Sequence, residues 1–148
     1  MTAQFGPQVG DIAHVIQLAV APVFLLSGVA ATLTVLTNRL ARIIDRARNL
    51  ETALPSALAD AIDDMHRELN TLSRRATLIH RAITLCTTCA LLICVVIIML
   101  FLGALLTAEF SALTALVFIV ALCAYLGALV SFLQEIKVAT SSHRFGPK

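Results

Sequence analysis

Cys86-Thr-Thr-Cys89 has the spacing of thiol pairs that exchange disulfides or hold a metal. That chemistry needs an accessible, stabilised thiolate. Both sulfurs instead fall in a long apolar run with Cys94, and Cys123 falls in another. Cysteine is also an ordinary small residue for packing, and packing is the role expected of Cys86 and Cys89. His14 and Gln17 set an ionisable ring and an amide at helical spacing near the start of the first apolar run. An ionisable group deep in a bilayer points to function, but His14 is only a few residues from the run's edge, where an imidazole is inexpensive. It reads as interfacial. His66 and His80 have no metal-ligand spacing.

The charged residues are more suggestive. Arg39, Arg42, Arg46 and Arg48 surround Asp45, with Arg42 and Arg48 three residues to either side of it. That spacing allows ion pairs along a solvated helix face. Arginines beside an apolar run also suit an anion or the phosphates of anionic lipids. Arg39, Arg42, Arg46 and Arg75 are the candidate contacts. Asp60, Asp63, Asp64 and Glu68 form an acidic patch farther along. It would serve either to dock a cytoplasmic protein or simply to keep a helix tip soluble. The sequence spells no phosphate-binding glycine-rich loop, HExxH, GxSxG or nucleic-acid-binding module. A protein without enzymatic activity, cofactor, metal or nucleic-acid partner is expected.

The elements that position these residues follow from composition. Of 148 residues, 59% are hydrophobic and 14% charged, and the mean hydropathy is +0.91. Three apolar runs, 12–37, 82–107 and 112–133, reach the ~20 residues a helix needs to cross a bilayer. They predict one all-α membrane domain in contact with lipid. Four cysteines inside apolar runs do not make the disulfide framework of a small secreted protein. The first run lacks a basic lead-in and is too long for a signal-peptide core, so a retained helix is expected.

Eight of the eleven basic residues lie in 38–81, and the other three are Lys137, Arg144 and Lys148. No Lys or Arg precedes Arg39 or falls between Arg81 and Lys137. The positive-inside rule then places the N-terminus outside the cell's inner membrane. It makes 38–81 and a tail, 134–148, cytoplasmic, with an external turn at 107–111. Residues 1–11 read as a frayed lead-in, and 140–148 as disordered.

Leu36, Leu40, Ile43, Ala47, Leu50 and Leu54 step by four and three, as do Leu58, Ile62, Met65, Leu69, Leu72, Ala76 and Ile79. Two heptad stripes either side of Pro55-Ser56 predict an antiparallel helical hairpin that extends the first two membrane helices into the cytoplasm. Pro55 would end one helix and Ser56 cap the next. Centring the turn near Ala57 sets Arg46 opposite Glu68. It also sets Arg39 opposite Arg75, which repel unless an anion, a lipid phosphate or a nearby carboxylate intervenes. Two arginines snorkelling to separate headgroups is the plainer alternative.

In the first membrane helix, Gln17, Ala21, Phe24, Gly28, Ala31, Val35 and Asn38 share one stripe, and Pro22 invites a kink. A stripe with several small members marks close helix packing. A pore lining would also be small and polar, with Gln17, Ser27, Gly28, Ala31, Thr34 and Asn38 as its candidates. In the third, Ala124 with Ala128, and Gly127 with Ser131, are small-xxx-small pairs. Ser111 would cap its start.

Residues 21–28, Ala-Pro-Val-Phe-Leu-Leu-Ser-Gly, with Asn38-Arg39-Leu40 and Asp45-Arg46-Ala47-Arg48, resemble a bacterial family of small three-helix membrane proteins known only as a domain of unknown function. The resemblance extends over about residues 12–135. It implies the three-helix fold and the inner membrane, and assigns no catalytic residue. Three short membrane helices bury little alone, so a homo-oligomer is expected. Two functions remain open: an ion channel or pore lined by the first helix, with Arg39, Arg42 and Arg46 at its cytoplasmic mouth, or a membrane-anchored adaptor whose hairpin binds a protein.

Overall fold

Hydrocarbon offers no water to a backbone amide, so an apolar run must satisfy its own N–H and C=O groups by coiling into a helix. Three helices result: α1, Gly6–Ala53; α2, Ala59–Leu106; and α3, Ser111–Ser142. The computed structural model describes the backbone of residues 6–56, 59–106 and 111–142, and the side chains of 13–55, 61–106 and 111–140. No strand occurs among the described residues. Each helix contains a stretch long and apolar enough to cross a membrane. The chain is an integral membrane protein.

Helix ends follow local chemistry. α1 starts at Gly6, ahead of the expected boundary, and takes in part of the segment read as frayed. Pro7 sits in its first turn, where a missing N–H breaks no helical bond. Pro22 lies buried within α1 without ending it. The helix stops at Ala53, and Pro55 falls in a single 3-10 turn, Leu54–Ser56. α2 is described from Ala59, so the expected cap at Ser56 lies outside the described side chains. Leu58 of the second stripe and the turn at 107–110 lie outside the described residues. α3 begins at Ser111, as expected, and continues past Leu133 to Ser142. Gln134, Glu135 and Lys137 are good helix formers, and neither Gly nor Pro interrupts the chain before Gly146.

The chain divides into two compact units. The first comprises Met1–Thr32 and Cys86–Tyr125, the second Leu33–Leu85 and Leu126–Lys148. In the first unit Ala19, Val29, Cys86, Cys89, Ile93, Val96 and Ala121 are buried. Thr32 Oγ1 donates to the carbonyl of Gly28 at 3.0 Å and lies 3.0 Å from the Tyr125 hydroxyl. Its one proton is thus committed, so Tyr125 is the donor to Thr32. In the second unit Leu36, Ile43, Leu50, Leu72, Ile79, Ala82, Ala128 and Glu135 are buried.

Burial along each helix repeats every seven residues. On α1 it falls at Pro22, Val29, Leu36, Ile43 and Leu50; on α2 at Leu72, Ile79, Cys86 and Ile93; on α3 at Thr114, Ala121, Ala128 and Glu135. Within a bilayer apolar side chains gain little by leaving lipid, so helices associate through close van der Waals contact at small residues. Ala121 and Ala128 fit that requirement. At Gly127 an added Cβ would meet Leu85 Cδ1 at 3.4 Å.

Candidate functional site

The most unusual residue is Glu135, a carboxylic acid with no exposed surface on the buried side of α3. It takes the place one heptad after Ala128. Burying a carboxylate costs several kcal/mol unless charge and hydrogen bonds offset it. Two arginines do so. Arg75 of α2 donates from Nε and Nη2 to Glu135 Oε1 at 3.0 and 2.9 Å. Arg39 of α1 sets Nη1 3.1 Å from Oε2, off the line that a hydrogen bond needs. That second contact is an ion pair without hydrogen-bond geometry. The Arg39 guanidinium also stands over the Phe132 ring, 5.2 Å from its centroid, a cation–π contact from the residue one turn before Glu135.

The expected approach of Arg39 to Arg75 thus resolves through a carboxylate. The same segment supplies Arg46, whose Nε donates to Glu68 Oε1 at 2.9 Å. Arg46 and Glu68 are the pair that the sequence set opposite each other. The Glu68 hydrogen bond, and then its negative charge, push the Arg46 pKa above the ordinary arginine value. Arg46 therefore stays charged throughout the alkaline range in which proteins survive.

Arg39, Arg42, Arg46 and Arg75 line one cleft of about 240 Å³, floored by Ile43 and Leu72. The four residues singled out as anion contacts are therefore neighbours. Three of their guanidiniums engage two carboxylates: Arg39 and Arg75 meet Glu135, and Arg46 meets Glu68. Arg42 is exposed and has no ion pair among the described residues. No ion pair joins Asp45 to Arg42 or Arg48 there either, contrary to the sequence expectation. The cleft is cationic overall and partly open to water.

A family model described as "Protein of unknown function (DUF2721)" matches residues 19–145. The chain belongs to this family. No curated protein and no solved structure matches it. All four cleft arginines, Glu68, Phe132 and Glu135 lie inside the DUF2721 match.

The other candidates of this DUF2721 chain separate clearly. Gln17, Ser27, Gly28, Ala31, Thr34 and Asn38 are all exposed on α1. The Ser27 hydroxyl leans back to the Val23 carbonyl at 3.5 Å, and a Cβ at Gly28 would meet nothing within 4 Å. On α2, Asp63 and Asp64 are exposed, and Asp64 lies 4.0 Å from Arg67 one turn on. Glu68 is engaged by Arg46 and so leaves the acidic patch, while of Asp60 only the backbone is described. Cys86 and Cys89 are buried among the packing positions of α2, and Cys94 and Cys123 are exposed. A second cavity, about 650 Å³, is lined in the first unit by Pro22, Met99, Thr114 and Phe118 among others, with no charged side chain.

Sequence reasoning passed over Glu135, Phe132 and Tyr125. A signal for Glu135 existed. It is the sole acidic residue after Glu109, and it completes the series Thr114, Ala121, Ala128 at intervals of seven.

Proposed function

We propose that this protein is a non-enzymatic, homo-oligomeric pore of the inner membrane, with α1 lining the pathway. One observation carries the reading: the small and polar residues Gln17, Ser27, Gly28, Ala31, Thr34 and Asn38 all face away from the chain's own packing. Ala31 and Asn38 each follow a buried residue, Val29 and Leu36, by two positions, about 200° around a helix. An amide or hydroxyl turned to hydrocarbon is disfavoured, whereas the same face is satisfied beside water in a channel. A ring of copies with α1 inward supplies that environment.

In this reading the N-terminus is outside and every basic residue lies on the cytoplasmic side. α1 and α2 leave the membrane together as an antiparallel coiled-coil hairpin. The Arg46–Glu68 hydrogen bond supports that register. Of the three arginines proposed for the cytoplasmic mouth, Arg39 and Arg46 are engaged by carboxylates, and Arg42 has no ion pair among the described residues.

The test is the subunit count of the purified protein in lipid nanodiscs, by native mass spectrometry. A closed ring of at least about four copies is expected, since fewer helices leave no lumen wide enough for an ion. A monomer or dimer refutes the pore. The surviving function would then be a membrane-anchored adaptor docking a protein through the exposed Asp63 and Asp64.

A further inference from the structure

The arginine cleft has a shape and charge that the pore does not require. We propose that it is a phosphate-binding site, in which Arg42 supplies the uncompensated charge while Glu135 holds Arg39 and Arg75 at the wall. Three observations converge on this assignment.

The first is charge. Four arginines line the cleft, and the two carboxylates paired with them, Glu135 and Glu68, offset half of their charge. Arg42 has no ion pair among the described residues, Asp45 one turn on included, and is the cation left to attract an anion.

The second is geometry. The guanidinium fork matches phosphate oxygens in bidentate fashion. Such pairing is strongest where the side chain is held in advance. Arg75 is fixed by two hydrogen bonds to a wholly buried Glu135, and Arg39 by the same carboxylate and the Phe132 ring. Glu135 here is a positioning residue rather than a ligand. The cleft's volume of about 240 Å³ equals roughly eight waters at ~30 Å³ each, room for a phosphate with its hydration.

The third is depth. The first apolar run ends at Thr37 and the second resumes at Ala82. At ~1.5 Å per residue, Arg39 and Arg42 stand about 3 and 8 Å beyond the end of the first run. Headgroup layers are about 5–8 Å thick on each side, so with Thr37 at the hydrocarbon edge the Arg39 and Arg42 end of the cleft reaches the lipid phosphates, and Arg46, about 14 Å out, faces water.

A phosphodiester headgroup and free phosphate share this chemistry, and two arms of one experiment separate them. The full chain is placed in nanodiscs of a galactolipid, a bilayer lipid without phosphate. In one arm phosphatidylglycerol is titrated in and retained lipid is counted by native mass spectrometry. In the other, inorganic phosphate is titrated against chloride at equal ionic strength, and the thermal midpoint is read. Arg42→Gln is compared with Arg74→Gln, an exposed arginine at similar depth that does not line the cleft.

Arg42→Gln is expected to weaken binding about tenfold, the loss of one charge-assisted contact, and Arg74→Gln less than about twofold. The effect in the first arm identifies a lipid headgroup, and in the second a free anion. Arg42 has no ion pair among the described residues, so the variant's midpoint in neutral lipid without added anion should match wild type. Equal losses in the two variants would mean diffuse surface charge and would overturn the site. So would the absence of binding in both arms.

Discussion

Glu135 shows how one residue can organise three helices. Its carboxylate is wholly buried, and the two guanidiniums around it are only partly so, with 22% of the Arg75 side chain exposed and 35% of Arg39. Removing its charge leaves two cations facing each other without the group that reconciles them. Glu135→Gln should therefore cost about 3 kcal/mol, the low end for breaking a buried pair, because both arginines still reach water. Arg46→Gln breaks a pair exposed on both sides and should change stability little. Reversible unfolding of the two variants in the same detergent compares them directly, and equal effects would deny Glu135 its role. An intervening negative charge was one of the readings open in the sequence for Arg39 set against Arg75, beside the plainer one of two arginines snorkelling to separate headgroups. Which residue supplies it was not legible. Glu135 lies 60 residues from Arg75, on a helix whose register against the other two no local pattern encodes.

Helices are the scale at which the sequence spoke most plainly. Unbroken apolar runs named the three membrane helices, and Pro55 marked the break between α1 and α2. The stripes running from Leu36 and to Ile79 do not stop at the membrane edge. Burial continues at the same interval back to Val29 and Pro22, and onward to Cys86 and Ile93. In hydrocarbon every side chain along a run is apolar, so hydropathy no longer distinguishes the packed face from the lipid face; Cys86 and Cys89 consequently looked like a motif when they are spacers. On α3 the packed face is marked by size instead. Ala128 is buried, whereas the neighbouring Gly127 has room for a methyl group at the edge of ordinary contact with Leu85. Ala128→Leu should destabilise the protein by about 1–3 kcal/mol through overpacking. Gly127→Ala should be neutral or stabilise by up to about 1 kcal/mol, since alanine is the better helix former. Unfolding measured for the pair checks both signs, and a tolerated Ala128→Leu would show that the small residue is not needed for close approach.

At the scale of the whole molecule, charge and assembly meet on α1. The one-sided distribution of Lys and Arg made the proposed topology readable, because it depends on composition alone. The proposed assembly would use a face that a single chain leaves exposed, and Gly28 lies on such a face of α1. Gly28→Leu separates the fold from the proposed pore. Nothing within 4 Å would meet the first added carbon, and leucine favours a helix over glycine by about 0.5–1 kcal/mol. The variant should unfold no earlier than wild type. If the face lines a water-filled pathway, four added carbons per subunit narrow it at one level, and conductance in planar bilayers should fall severalfold while the ring's mass is unchanged. If the face instead packs copy against copy, the same leucine holds the helices apart, and the ring dissociates in native mass spectrometry. If it faces lipid, neither conductance nor mass changes, and α1 is not the lining. Conductance lost with the ring intact is the outcome the exposed polar stripe predicts, because the amides of Gln17 and Asn38 have more to gain from water than from a neighbouring helix.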